Sequence, residues 1–153
     1  MVDCIRYTVP AMTQILVVGH GAFATTLLET ARMLTGSTGH ARAVQFPVGT
    51  GVSELTDTVS AAIDALIEER DGDRERVLVL ADIAGGSPAR VALGEALAGR
   101  AEVVTGANLP MLIDALFAPD TTTPDELARQ VAGSAQSGIR NMGAEIREGG
   151  VLA

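Results

Sequence analysis

Apolar runs alternate along the chain with stretches whose apolar positions recur at helical spacing. Gln14 leads into Ile15-Leu16-Val17-Val18, a short β-branched run with the pattern of a strand buried on both faces. Phe23, Leu27, Ala31 and Leu34 then mark a first helix over 22–36. Gly36-Ser37-Thr38-Gly39 turns the chain, and Ala43-Val44-Gln45-Phe46 is a second strand stopped by Pro47. Val52, Leu55, Val59, Ile63 and Leu66 stripe a second helix, with Asp64, Glu68 and Glu69 on its wet face and Asp71-Gly72-Asp73 ending it. Val77-Leu78-Val79-Leu80-Ala81 is the clearest strand of all. Ser87 suits the N-cap of a third helix and Pro88 its first position, the helix running to Leu97. Glu102-Val103-Val104 is a short fourth strand, and Asn108 caps a fourth helix from Leu109 to Phe117. Thr123-Pro124-Asp125-Glu126 has the capping-box pattern and opens a last helix reaching Met142.

Strand–helix units in this alternation predict an α/β fold, a doubly wound sheet of about four parallel strands with helices on both faces. Residues 1–13 are expected to form a leader outside the core, with Met12 an alternative start, residues 14–145 one domain, and residues 146–153 a Gly-rich tail. At 153 residues the chain is long enough for one aliphatic core.

Composition narrows the function. The formal net charge of −8 argues against nucleic acid or an anionic membrane surface as the main partner. All eleven Lys and Arg positions are arginine, so a Walker phosphate loop and a Schiff-base lysine are excluded. The single cysteine, Cys4, allows no intramolecular disulfide. His20 and His40 stand far apart without a ligand-pairing motif, so no metal is expected, and His40 reads as a solvated loop residue. No Gly-x-Ser-x-Gly elbow and no Gly-x-Gly-x-x-Gly fingerprint occur, so neither a serine hydrolase nor a dinucleotide cofactor is expected, and no other cofactor is called for. With no secretion signal or apolar span in the sequence, a cytoplasmic location is expected.

Two strand ends carry the chemistry. The first runs into Gly19-His20-Gly21, the third into Asp82-Ile83-Ala84-Gly85-Gly86-Ser87. In a doubly wound sheet both open on the carboxyl edge, where ligands bind. If those strands are neighbours, Asp82 reaches the ring of His20, fixes its tautomer and leaves the other ring nitrogen free to attack. Gly21, Gly85, Gly86 and Ser87 then offer backbone room, amides and a hydroxyl to phosphoryl oxygens. Phosphoryl transfer needs little more than positioning and charge stabilisation.

With these residues the chain resembles the enzyme IIA component of the mannose-type (mannose/fructose/sorbose) family of the bacterial phosphoenolpyruvate-dependent sugar phosphotransferase system. The resemblance runs from Ile15 to Met142. It rests on His20-Gly21 with Phe23-Ala24, on Leu27-Leu28 and Met33-Leu34-Thr35-Gly36, on Asp82 with Gly85-Gly86-Ser87-Pro88, and on Gly106-Ala107-Asn108-Leu109-Pro110-Met111-Leu112. It implies a transferase in which His20 is transiently phosphorylated by the phosphorylated histidine-containing phosphocarrier protein and passes the group to an enzyme IIB component. It implies that Asp82 hydrogen-bonds the histidine and that Ser87 with Gly85-Gly86 lines the phosphate. It further implies a homodimer exchanging C-terminal segments, an additional C-terminal edge strand included, and membrane IIC and IID subunits met only through partners. The chain departs from the family at Gly19, where Thr or Ser is common, at Phe46-Pro47-Val48-Gly49, which lacks the usual Glu, at Ile83 and Ala84 in place of aromatics, and at Ala89 in place of Phe. Two other readings share the same histidine chemistry: the phosphoryl-carrying subunit of a phosphoenolpyruvate-dependent dihydroxyacetone kinase, and a regulator that binds partners according to its phosphorylation.

Overall fold

The computed structural model describes residues 12–39, 41–69 and 77–149. Its elements in chain order are β1 (Gln14–His20), α1 (Phe23–Thr35), β2 (Ala41–Phe46), α2 (Val52–Glu68), β3 (Val77–Ala81), α3 (Ser87–Leu97), β4 (Glu102–Thr105), α4 (Leu109–Leu116), α5 (Pro124–Ser137) and α6 (Met142–Arg147). The sheet has four strands in the order β2-β1-β3-β4, all paired in parallel. The predicted architecture is therefore the observed one.

The two unbroken apolar runs became the central strands for a simple reason. A strand with neighbours on both sides and helices on both faces must be apolar at every position. All five residues of β3 are buried, as are the first six of β1, so that only His20 emerges. Successive side chains serve opposite layers. Ile15, Val17, Leu78 and Leu80 meet α1, α4 and α5 through Ala31, Met111, Leu112, Leu127 and Val131. Leu16, Val18, Val79 and Ala81 meet α2 and α3 through Leu55, Val59, Ile63, Leu66 and Ala92. No described helix is long and apolar enough to cross a membrane.

Side-chain caps set the starts of α4, α5 and α6. Asn108 Oδ1 accepts from the Met111 amide at 3.0 Å, while its Nδ2 donates to the Ala135 carbonyl at 3.1 Å, tying α4 to α5. Thr123 and Glu126 form the predicted capping box. At α3 the cap sits one residue earlier than predicted. Gly86 is extended (φ −70°, ψ 161°) and is the N-cap, so Ser87 is already helical and makes no side-chain cap bond.

The C-terminal prediction is also corrected. The last long helix stops at Ser137, and Met142–Arg147 form a separate helix capped by Asn141, whose side chain accepts from the Ala144 amide at 3.0 Å. Among the described residues there is no additional C-terminal edge strand; an Arg140–Glu145 ion pair braces α6 instead. Thr13, read as the end of the leader, is 3% exposed and donates its hydroxyl to the Thr122 carbonyl at 2.7 Å. The rest of the leader through residue 11, His40, Asp71-Gly72-Asp73 and residues 150–153 lie outside the described residues.

Candidate functional site

Neighbouring β1 and β3 bring the two predicted residues together. Val18 is in register with Ala81, and the Asp82 amide continues the ladder by donating to the Val18 carbonyl at 3.1 Å. That register sets Asp82 beside Gly19, one residue short of His20, and the two side chains meet just beyond the sheet edge. One carboxylate oxygen, Asp82 Oδ2, accepts from the His20 amide at 2.8 Å and pairs with His20 Nδ1 at 2.7 Å. The other, Oδ1, accepts from the Ile83 amide at 2.7 Å. The carboxylate is 12% exposed and the imidazole 48% exposed. Thus the acid is sheltered and the base is presented.

These contacts set the electrostatics. Burial pushes the Asp82 carboxyl up, but the hydrogen bonds from the His20 amide, the His20 ring and the Ile83 amide outweigh it and hold the group below its ordinary value. An ionised Asp82 accepts only, so Nδ1 carries the proton and the lone pair of the neutral ring lies on Nε2. That nitrogen has no hydrogen-bond partner among the described residues.

The ring is wedged from two sides. Phe46, in register with His20 on β2, stands 5.8 Å away between centroids at 59°. Across from it, a Cβ on Gly86 would lie 2.7 Å from His20 Cε1, so the backbone of the turn abuts the ring where any other residue would collide. Gly85 reaches that turn through a left-handed conformation (φ 80°) that suits only glycine readily.

The other predicted site residues divide by what their backbones already do. The Gly21 amide donates to the Phe46 carbonyl at 2.8 Å and the Gly86 amide to the Ile83 carbonyl at 3.3 Å, so both are engaged in holding the site's shape. The amides of Gly85 and Ser87 have no backbone acceptor among the described residues, and Ser87 opens a helix whose first N–H groups point outward. Gly85 and Ser87 are the free donors. The described residues contain no group of three or more His, Cys, Asp or Glu arranged to hold a metal.

A strand-end histidine with Nδ1 held by a carboxylate and Nε2 open, beside a Gly-Gly-Ser turn with these two free amides, can serve as a nucleophile toward an anionic group. The family model described as the PTS system fructose IIA component matches residues 14–132. The chain belongs to this family. Its members are IIA components of sugar phosphotransferase systems, phosphoryl carriers in sugar uptake, and the dihydroxyacetone kinase reading is not favoured. The chain is 33% identical over 106 residues to the fructose-specific EIIA component of Bacillus subtilis, covering 69% of each. It is 32% identical over 140 residues to the mannose-specific EIIAB component of Escherichia coli K12, covering 88% of this chain and 41% of that longer one. Among solved structures it superimposes on the PTS IIA protein associated with the fucose utilization operon from Streptococcus pneumoniae with a TM-score of 0.76 at 30% identity, covering 89% of this chain and 97% of the other.

In this IIA component the sequence pattern passed over two contacts. Phe46 reads as an ordinary strand residue, and only the β1–β2 register places it against His20. Gly19 reads as the end of the first strand and lies there, but the pattern does not show its crowding: a Cβ would come within 2.7 Å of Phe23 Cδ1 and 3.2 Å of Asp82 Cβ. The signal was available in the departure from the family's Thr or Ser.

Proposed function

We propose that this IIA component accepts a phosphoryl group on His20 Nε2 from the phosphohistidine of a small phosphocarrier protein and passes it to an enzyme IIB component. One observation carries the assignment: Asp82 holds His20 Nδ1 at 2.7 Å while Nε2 stays open at an exposed ring. The Nε2 lone pair attacks phosphorus, the donor's P–N bond breaks, and its electron pair remains on the donor imidazole. The proton stays on His20 Nδ1, where the Asp82 carboxylate stabilises the cationic ring. Attack by the IIB residue on the same phosphorus, with the P–N bond to His20 breaking, returns the ring to neutrality.

Gly85, through its amide, and Ser87, through its amide and hydroxyl, are the donors for the phosphoryl oxygens; Gly86 provides the close approach and Gly21 the turn that frees the ring. No cofactor takes part. The name of the E. coli relative joins an A and a B component in one chain, which supports an enzyme IIB recipient. The relatives' names mention fructose, mannose and a fucose operon, and a carrier that handles only phosphoryl groups serves any of them. The protein works in the cytoplasm as a homodimer and meets the membrane IIC and IID subunits through its partners.

The test is intact-protein mass spectrometry after incubation with phosphoenolpyruvate, enzyme I and the phosphocarrier protein. An acid-labile gain of one phosphate in the wild type, absent in His20→Ala, is expected. A His20→Ala chain that labels fully overturns the assignment. Loss of label on adding a IIB component separates a carrier from a regulator, which retains it.

A further inference from the structure

Seven arginines lie among the described residues, at positions 32, 42, 90, 100, 129, 140 and 147. Four are committed to carboxylates: Arg42 to Glu69, Arg100 to Asp64 and Glu95, Arg129 to Asp125, and Arg140 to Glu145. Two of the others, Arg32 and Arg147, stand in the last turns of α1 and α6, where a helix dipole favours a cation. Arg90 has neither reason for its place. Among the described residues it has no carboxylate partner, and it lies at the start of α3, the end where the dipole opposes positive charge and where no acidic residue offsets it.

Its position relative to the nucleophile is specific. Arg90 follows the N-cap Gly86 by four residues, and its amide donates to the Gly86 carbonyl at 3.0 Å. A Cβ on Gly86 would stand 2.7 Å from His20 Cε1, so Arg90 lies one turn of α3 beyond the backbone that the imidazole rests against. Helical side chains lean back toward the N-terminus, and one turn is about 5–6 Å of axis, within the span of an extended arginine. Arg90 is exposed, whereas Pro88, Ala89, Val91 and Ala92 around it are buried. Packing therefore does not account for it.

We propose that Arg90 is a phosphoryl-binding residue of this site, its guanidinium closing over the oxygens of the group carried on His20 Nε2. The inference rests on the phosphohistidine reading above. It divides the labour at the site: Asp82 faces the proton side of the ring, while Arg90 with the free amides of Gly85 and Ser87 faces the phosphoryl side. A phosphoryl group brings roughly two negative charges, and a planar guanidinium matches its oxygens two at a time. The anion also resolves the unfavourable placement of a cation at a helix N-terminus.

The experiment uses phosphoramidate, a small donor with no docking surface, on the full chain. Attack by His20 Nε2 forms the new P–N bond as ammonia leaves. Labelling rates are measured by intact mass for the wild type, Arg90→Lys, Arg90→Gln and Arg90→Glu, with melting temperatures alongside. Loss of a charge-assisted contact predicts labelling about tenfold slower in Arg90→Gln, slower again in Arg90→Glu, and largely restored in Arg90→Lys, at unchanged melting temperature. Equal rates across the series, with His20 labelled in all, overturn the role of Arg90 alone. No label on wild-type His20 from either donor overturns the phosphohistidine reading and this inference with it.

Discussion

Gly86 and His20 leave no room between them for a methyl group: a Cβ on the glycine would stand 2.7 Å from the ring's Cε1. The glycine's own backbone is extended and open to any residue, so the effect of a substitution falls on its neighbours, first the ring and then Ile83 Cγ2, 3.1 Å from the same point. Gly86→Ala is therefore expected to fold normally and to displace the imidazole from Asp82. Misplacing a reacting group by about 1 Å can cost on the order of 100-fold in rate. Labelling kinetics beside a melting curve check this; a variant that melts like the wild type and labels as fast would mean that the ring shifts freely.

Asp82→Asn keeps the shape and removes the charge. The single amide oxygen replaces only one of the two carboxylate oxygens, so it cannot serve both the His20 and the Ile83 N–H groups, and no charge remains to stabilise the ring once Nε2 bears phosphorus. Losing a charged hydrogen bond of about 1.5–3 kcal/mol predicts transfer roughly 10- to 150-fold slower. The comparison is single-turnover transfer from the phosphocarrier protein, and equal rates would remove Asp82 from the chemistry.

The same carboxylate gives an acid dependence whose sign is fixed. Its folded value lies below the ordinary 3.8, despite burial, because three N–H groups donate to it. Its contribution to stability is thus complete above 3.8 and is lost as pH falls through the lower folded value. Urea midpoints measured between about pH 5 and pH 2 should fall more steeply in the wild type than in Asp82→Asn. Parallel curves would contradict the hydrogen bonding described.

Gly19 makes the opposite case to Gly86, because what it accommodates is core. Gly19→Thr, which installs a residue common in the family, should push against Phe23 and destabilise by about 1–3 kcal/mol, the usual range for overpacking. Phe23→Leu should recover part of that loss in the double variant, measured as a non-additive urea cycle. Strict additivity would indicate that the two positions do not compete for space.

Asn108 belongs to a stretch on which the family resemblance rests, yet its observed bonds are structural. Asn108→Ala removes the cap of α4 and leaves the Ala135 carbonyl without its donor. About 2 kcal/mol of stability should go, roughly half from each bond, with labelling of His20 unchanged. A labelling defect in a fully folded variant would assign Asn108 to the site.

The central strands were legible because burial on both faces leaves no choice of residue type, and the His20–Asp82 pair followed once β1 and β3 were neighbours. The α3 cap was displaced by one residue because Ser87 has the better capping side chain, whereas the Gly85-Gly86 turn stays extended through its second glycine. Only three-dimensional register sets that. The C-terminal boundary failed for a related reason: Gly138 ends α5 in ordinary helical angles rather than a left-handed cap, a Cβ there would meet Pro110 Cγ at 2.5 Å, and the restart depends on a single Asn141 side chain. Phe46 and Gly19 were hidden because their roles are contacts between strands or across a turn, which a one-dimensional pattern does not encode.

His20 and Asp82 lie 62 residues apart and meet only because two parallel strands hold one register. The proposed nucleophile is thereby conditional on the fold. On that reading, a chain with β1 and β3 unpaired has a histidine of free tautomer and no carboxylate beside it, and it draws phosphate from the relay more slowly. Phosphoryl acceptance would then double as a check on the carrier's own integrity, made afresh at every turnover.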